Sequence, residues 1–502
     1  MLQKIVFIFP PCKVKVFGSN EEVAKPEKAV APPLGILYLA GELIHAGYRV
    51  ECFDYNAEEY RDDNLRSAIA NADLVGVSIL SFNREIAYSM IATIRRMRPD
   101  LPVIAGGADC ILHPQPVPHT LLTVVEEAET IIVEIVRAIF LHLPLEQLPG
   151  VVFSDRGGTI RRGKPYTPVR DLDCIRFPRR DLLRDHKGYS IIGKQSRNIT
   201  TMITSRGCPK HCSFCAHGAI AYQTYRARSP ENVLEEIEVI AKQGFTLLGI
   251  SDDNFTADKP RARKILQGII DRNIRLTIVV QGRVDAADYG LYCLMKKAGV
   301  KGITFGLESG NQEVLDFYRK DATVAMNEQA VRLADKAGLY TGGIFIFGAP
   351  METERHFKNT YNFAASLPLD ITTFWILDYT YGSSLWEQAR MEHKVADHEC
   401  NVPAGKERGT SIYPSKFIEE YAQHCFFRYY RRPSYWIRQI LKLVRIRDRY
   451  FAAVVAAGIG WMVRRKFELG WNKLRHRIPL RYAAARYPTG DCASHRASAL
   501  TG

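Results

Sequence analysis

Residues 199–218 read ITTMITSRGCPKHCSFCAHG. A β-branched, apolar run over 199–204 gives way to Gly207 and then to Cys208, Cys212 and Cys215. Runs of this kind, bounded by turn residues, read as strands, so the three cysteines sit on a loop leaving the carboxyl end of a strand. The alternation downstream of this loop decides the fold. Helical patterns (ENVLEEIEVIAKQG, PRARKILQGIIDR, LYCLMKKAG, VAMNEQAVRLADKAG, RHFKNTYNFAASL) alternate with strand patterns (TLLGISD, LTIVVQG, GITFGL, TGGIFIFG, ITTFWIL). Strands separated by helices of about 10 to 15 residues pair in parallel through helical crossovers. Residues 196–392 therefore predict a partial (β/α)6 barrel, and sites on such barrels lie at the carboxyl ends of the strands.

Upstream, residues 1–145 repeat the alternation: IVFIF, LGILYLAGELIHAG, YRVECFDY, NLRSAIANA, LVGVSIL, EIAYSMIATIRRMR and PVIAGG. This predicts an α/β, doubly wound (Rossmann-like) domain, whose ligands also sit at the carboxyl ends of the strands. Residues 146–195 read as a linker holding a hairpin at Gly157-Gly158. Residues 393–502 read as a helical basic C-terminal region with a disordered end, YPTGDCASHRASALTG.

Composition narrows the classes. A chain of 502 residues that is 46% hydrophobic buries sizeable cores and is not globally disordered. No stretch reaches the roughly 18 apolar residues of a membrane span, and the short apolar start ends at Pro10-Pro11 without a signal-peptide pattern. Eight of the eleven cysteines are scattered singly, which is no disulfide framework and points to a reducing cytoplasm. The net charge of +14 belongs to one segment: residues 421–490 hold sixteen Lys and Arg against Asp448 and Glu468. The catalytic region is close to neutral.

The spacing C-x3-C-x2-C narrows the chemistry. Soft thiolates suit iron–sulfur clusters or zinc. A structural zinc site closes with four ligands, and His211 or His217 would have to supply the fourth. Three thiolates leave one iron of a four-iron, four-sulfur (4Fe-4S) cluster open to a chelating ligand. The spacing, at the end of the first barrel strand, resembles the radical S-adenosylmethionine (SAM) superfamily over roughly residues 198–390. The resemblance implies SAM bound at the open iron through its amino and carboxylate groups. One electron then cleaves the sulfonium to a 5′-deoxyadenosyl radical, which takes a hydrogen from the substrate.

The same resemblance assigns more positions. Phe214 matches an aromatic near the adenine. Asp252 or Asp253, in GISDDNF, matches the acceptor of the SAM ammonium; a helix N-cap or Asx turn is the plain alternative. Arg283 matches an arginine near the SAM carboxylate. Glu308, in FGLESGNQEVL, matches the ribose-binding glutamate, since a carboxylate accepts two hydroxyl donors well. Gly348, in GGIFIFGAP, matches the glycine-rich strand beside the adenine, where a small residue lets backbone approach a ring.

In the N-terminal domain, Ser78-Ile79-Leu80 is followed after 25 residues by Gly106-Gly107. That interval resembles cobalamin-binding domains, and Ser78, Leu80, Gly106 and Gly107 are the cobalamin positions it implies. The expected Asp-x-His-x-x-Gly is missing; the chain reads Ala31-Pro32-Pro33-Leu34-Gly35-Ile36 there. This resembles cobalamin-binding radical SAM proteins that hold the cofactor without a histidine on cobalt. Where related chains carry Gly-Glu-Gly-Glu, this one has Glu126-Glu127-Ala128-Glu129, and the added side chains are expected to crowd a cofactor. A vestigial domain that only shapes the active site is the plain alternative.

The tail, FFRYYRRPSYWIRQILKLVRIRDRYFAAVVAAGIGWMVRRKFELGW, suits a helical cap, a membrane-surface helix or, least of the three, a nucleic-acid contact. The apolar run 450–463 within it is too short to span a bilayer. Similar tails occur in relatives acting on porphyrins and hopanoid lipids. The resulting expectation is a cobalamin-dependent radical SAM enzyme that methylates an unactivated carbon of a small hydrophobic metabolite. Its implied cofactors are a 4Fe-4S cluster, SAM and cobalamin, with an external electron donor of flavodoxin or ferredoxin type. Its expected place is the cytoplasm, peripheral at the inner membrane face. One alternative is a radical oxidative cyclase or rearrangement enzyme on a porphyrin- or lipid-like substrate. Another is a non-catalytic metal-binding partner, which predicts zinc.

Overall fold

The structure is a computed structural model. It describes residues 3–12, 31–183 and 198–446, with short pieces at 14–15, 22–23, 189–191, 194–195, 448, 452, 455–456 and 460. Met1–Arg447 form one compact unit.

The N-terminal sheet starts with β1 (Lys4–Phe9), whose central four residues are buried. Burial on both faces is what a continuous apolar run demands, and helices supply the cover. α1 (Leu34–His45) leads to β2 (Arg49–Asp54), α2 (Asp62–Ile69) to β3 (Leu74–Ser78), and α3 (Arg84–Met97) to β4 (Val103–Gly106). The short α4 (Ala108–Leu112) precedes β5 (Leu122–Val124), and α5 (Ile132–Phe140) follows it. Strand order is β2-β1-β3-β4-β5, all parallel. The order reverses between β1 and β3, the switch point where open sheets bind ligands.

The segment expected as a linker does more than link. β6 (Val151–Ser154) pairs antiparallel with β5, and β7 (Ile160–Arg162) with β6. The domain thus extends past residue 145 to Arg162. Val151, Val152 and Phe153 are buried, and the hydrophobic effect holds this hairpin on the sheet. Further on, Arg180 enters the barrel wall. Its Nη2 lies 2.5 Å from Glu236 Oε1, and Arg228 pairs with the other carboxylate oxygen.

The barrel follows the expected alternation. β8 (Ile199–Met202) starts it, and β9 (Ser205–Arg206) pairs antiparallel with β10 (Arg226–Ala227) to close the cysteine loop at its base. Between them lies the short α6 (His217–Ile220). Then come α7 (Pro230–Lys242), β11 (Leu247–Ile250), α8 (Lys259–Asp271), β12 (Thr277–Gly282), α9 (Tyr289–Lys297) and β13 (Val300–Glu308). α10 (Gln312–Phe317), α11 (Val324–Lys336), β14 (Tyr340–Phe347), α12 (Glu354–Ser366) and β15 (Ile371–Ile376) complete it. The six strands β8-β11-β12-β13-β14-β15 pair in parallel, in sequence order. Side-chain caps start helices where the sequence offers them, among them Ser229 before Pro230, Asp258 before Lys259 and Asp288 before Tyr289.

Beyond the barrel, β16 (Asp378–Thr380) pairs with β17 (Asn401–Pro403) around α13 (Ser384–Met391), and α14 (Ser415–Tyr430) packs on β15. α15 (Pro433–Ile446) is inside out. Its inward face presents Lys442, whose Nζ meets Asp370 at 2.5 Å and Asp335 at 2.8 Å, and Arg438, which donates to the Leu367 and Leu369 carbonyls. Ile437, Ile440, Leu441 and Val444 point outward, 56–65% exposed. Among the described residues no helix is long and apolar enough to cross a membrane. The apolar run 450–463 lies mostly outside them.

Candidate functional site

The cysteine loop begins at a forced turn. Gly207 has φ +81°, and a Cβ there would overlap the Thr224 carbonyl oxygen, so glycine is required. Cys208, Cys212 and Cys215 then follow, all half-buried and free. The middle of the loop is fixed from two directions. Ser213 N–H donates to the Tyr318 carbonyl (2.9 Å), and Leu385 N–H donates to the Ser213 carbonyl (2.9 Å). Burial pushes the Cys208 thiol up and the Cys215 thiol to about 11. Arg283 opposes this at Cys208, and its Nη1 lies 3.5 Å from Cys212 Sγ. Among the described residues no three His, Cys, Asp or Glu converge as ligands of one metal ion. Three cysteines on one loop suit an iron–sulfur cluster, with the Arg283 guanidinium beside Cys212 able to offset thiolate charge.

Of the other positions expected to contact SAM, Phe214, Arg283 and Glu308 are joined to this loop through one lysine. Phe214 packs edge-on against Tyr318 at 5.2 Å, and Lys320 Nζ lies 5.9 Å from its ring. That lysine, which no sequence motif marks, also meets Glu308 Oε1 at 2.6 Å, and its carbonyl accepts from Arg283 Nη2 at 2.5 Å. Glu308 is 4% exposed and has φ +58°, where the β13–β14 register shifts. Such a conformation is costly for a non-glycine residue and is kept where the surroundings enforce it.

The two aspartates separate cleanly. Asp252 is buried and occupied: it accepts from Thr204 N–H (2.6 Å), Ser205 Oγ (2.7 Å) and the Thr204 hydroxyl. It ties β11 to the start of the cysteine loop. Asp253 faces a cavity and pairs with His217 Nδ1 at 2.5 Å. Gly348 has φ +117°, and its N–H donates to Glu352 Oε2 at 2.7 Å, as does that of Ala349 at 2.9 Å. Glu352, likewise unmarked in the sequence, is fully buried, and its Oε1 has no hydrogen-bond partner among the described residues.

The cavity, about 350 Å³, lies where the carboxyl ends of the two sheets meet. Gly76, Ser78, Gly106 and Gly107 line it from the N-terminal domain; Gly207 and Asp253 line it from the barrel. Gly107 has φ +113°, and a Cβ there would stand 2.5 Å from the Ile79 carbonyl oxygen. Small residues thus make a wall of bare backbone, which a broad flat ligand can approach closely. Leu80 is not among the lining residues; its N–H caps back onto Asn83 Oδ1 at 2.8 Å. Glu126 to Glu129 do line the cavity, so the two side chains that stand in place of glycine, Glu126 and Ala128, are in its wall as expected. Glu127 and Glu129 are drawn aside by arginines: Glu129 pairs with Arg206 at 2.6 Å and Glu127 with Arg226 at 2.6 Å.

Comparison with known proteins agrees with this geometry. Residues 202–364 match the model of the Radical SAM superfamily, and residues 26–136 match that of the B12 binding domain. The chain thus holds a radical SAM domain at 202–364, with a B12-binding domain ahead of it at 26–136. The chain is 26% identical over 456 residues to an uncharacterised methyltransferase of Pyrococcus horikoshii, covering 88% of this chain and 95% of the relative. It is 26% identical to the anaerobic magnesium-protoporphyrin IX monomethyl ester cyclase of Rubrivivax gelatinosus, over 73% of this chain and 68% of the cyclase. Its fold is shared with the radical SAM methyltransferase TsrM of Kitasatospora setae, solved with cobalamin and a 4Fe-4S cluster. The TM-score there is 0.63 at 20% identity, over 83% of this chain and 81% of that one.

Proposed function

We propose that this radical SAM protein is a cobalamin-dependent methyltransferase acting on an unactivated carbon of a small hydrophobic metabolite. The observation that carries the reading is the shared cavity. Its walls come from the carboxyl ends of both sheets, so a ligand of the B12-binding domain and one of the cysteine loop would face each other across it. When bound, the three cofactors would supply one-electron cleavage of SAM and a transferable methyl group.

The chain's own residues do the positioning. Cys208, Cys212 and Cys215 hold the cluster. Asp253 takes the SAM ammonium, because Asp252 is committed to Thr204 and Ser205. Arg283 faces the SAM carboxylate beside Cys212. Glu308 accepts the ribose hydroxyls, with Lys320 balancing its charge. Phe214 and Gly348 take the adenine. Ser78, Gly106 and Gly107 meet the corrin, with Leu80 behind them. A cluster held there would need an external one-electron donor, for which a flavodoxin or ferredoxin type is the finer proposal.

Anaerobic purification with hydroxocobalamin tests the reading, followed by iron, sulfide and corrinoid analysis of one sample. About four irons and one corrinoid per chain are expected, with label from methyl-labelled SAM appearing in product. Zinc in place of iron would sink the cluster assignment. Iron without corrinoid would remove the cobalamin role and turn the reading to oxidative cyclisation or rearrangement, which the cyclase relative favours.

A peripheral contact is the finer proposal for the C-terminal region. The outward aliphatic stripe of α15, flanked by the exposed Arg431 and Arg445 and continued by a basic segment, suits an anionic lipid surface. Co-sedimentation with phosphatidylglycerol vesicles tests it; no binding at low salt would dismiss it.

A further inference from the structure

The loop Glu126-Glu127-Ala128-Glu129 and the root of the cysteine loop share a buried charge cluster. Arg206 Nη1 lies 3.0 Å from Glu127 Oε1, and its Nη2 lies 2.6 Å from Glu129 Oε1. Arg226, paired with Arg206 across β9 and β10, makes a two-pronged bond to Glu127 at 2.6 and 2.8 Å. Its Nη1 also donates to the Val169 carbonyl at 2.7 Å. Glu127 N–H donates to the Tyr222 hydroxyl, on the far side of the cysteine loop, at 3.0 Å. All four charged side chains are at most 16% exposed.

We propose that Arg206 is a positioning residue, which fixes the cysteine loop against the B12-binding domain by bridging Glu127 and Glu129. Only Gly207 separates Arg206 from Cys208, and the Thr224 carbonyl packs against that glycine. The guanidinium thus sits at the root of the loop that carries the first cluster ligand. Both ends of the bridge also line the cavity: residues 126–129 on one side, residues 205–207 on the other. The bridge therefore sets the distance between what the two domains bind.

Exposed pairs contribute little, but a buried arginine between two carboxylates is held in one orientation by its planar fork. Burial favours the neutral form of Glu127, yet the two arginines hold its carboxyl below the ordinary range. The two glutamates carry the bridge, while the positions changed from glycine, Glu126 and Ala128, are not needed for it.

The inference rests on the cobalamin reading for one of its two readouts. Full-length protein, reconstituted with iron, sulfide and hydroxocobalamin, is compared with Arg206→Ala, Arg206→Lys and Glu129→Gln. Arg206→Ala should keep its iron, bind hydroxocobalamin about tenfold or more weakly, and lose the wild-type change that SAM produces in the electron paramagnetic resonance spectrum of the reduced cluster. Arg206→Lys, able to meet one carboxylate but not both, should recover part of each. Wild-type affinity and a wild-type SAM response in Arg206→Ala would overturn the proposal. If that variant does not fold, Glu129→Gln, which leaves the Glu127 bridge, is read in the same two assays, and unchanged values there overturn it equally. If wild-type protein binds no corrinoid, the cobalamin reading fails by itself, and the resonance readout alone decides the role of Arg206.

Discussion

Glu352 shows how one buried side chain can tie a site to pH. Its Oε2 holds the turn at Gly348 and Ala349, while its Oε1 faces no partner among the described residues. Burial pushes its carboxyl up from 4.5 to about 7, against the pull of the two backbone N–H groups. A carboxyl raised in the folded chain binds its proton more tightly there than in the unfolded chain. Its contribution is complete below about pH 4.5 and is lost as pH rises through about 7. Wild-type protein should therefore lose on the order of 1 to 3 kcal/mol between pH 5 and pH 8 through this group. Glu352→Gln keeps an acceptor for Gly348 and Ala349 and cannot ionise, so its stability should vary less over that window. Chemical denaturation at both pH values measures this; equal pH slopes for the two proteins would refute it. The paired aspartates give a second contrast. Asp252→Asn removes charge from an acceptor of three donors and should cost about 1 to 3 kcal/mol of stability. Asp253→Asn should leave stability near wild type and raise the KM for SAM. The reverse pattern would reassign the two.

At the scale of elements, the cysteine loop depends on the short β9–β10 stem and on Gly207. Gly207→Ala combines a positive φ with an overlap at Thr224, and should cost more than about 1 kcal/mol. The expected result is native far-ultraviolet circular dichroism with much less bound iron; full iron loading would show that the loop tolerates another path. Elements of this kind differ in how far the sequence reveals them. The barrel strands are legible because a strand buried on both faces and flanked by helices has one periodicity and one partner on each side. The hairpin at Gly157-Gly158 is legible as a turn, but its place on the N-terminal sheet is not. That place comes from pairing Thr123 with Val152, a contact between segments with no shared pattern. As a helical cap, α15 is expected to leave its arginine stems exposed. The structure turns Arg438 and Lys442 inward, because the carbonyls at 367–369 and the carboxylates of Asp335 and Asp370 leave acceptors at the barrel's underside. Amphipathicity gives two faces; only the neighbour decides which faces in. Lys320 is invisible in the sequence for a simpler reason: its partners, Glu308 at the end of β13 and Phe214 on the cysteine loop, come from two separate segments.

At the scale of the molecule, the segment after β7 is joined to the barrel through charge as well as apolar contact. Arg180, from the stretch expected to be a linker, is 2% exposed and shares Glu236 with Arg228. The same guanidinium donates to Thr200 Oγ1 (3.0 Å) and the Thr201 carbonyl (2.8 Å) on β8, and Arg228 donates to the Ile203 carbonyl at 2.9 Å. Two arginines and one carboxylate thus stand behind the strand that delivers the cysteine loop. Removing two charges from water is expensive, and one glutamate between two guanidinium groups offsets that cost only while it stays ionised and hydrogen-bonded. Glu236→Gln leaves both arginines buried without a counter-charge, which should cost about 3 to 5 kcal/mol. Arg180→Met, which removes one charge and leaves Arg228 paired with Glu236, should cost less. Denaturant titration of the full chain distinguishes these outcomes, and its cooperativity carries the structural point. If the triad locks the linker to the barrel, wild-type protein unfolds with no early phase in the linker, and Glu236→Gln separates such a phase from barrel unfolding. A Glu236→Gln protein within about 1 kcal/mol of wild type, unfolding in the same single transition, would mean that apolar packing alone holds the linker and that the charges are incidental.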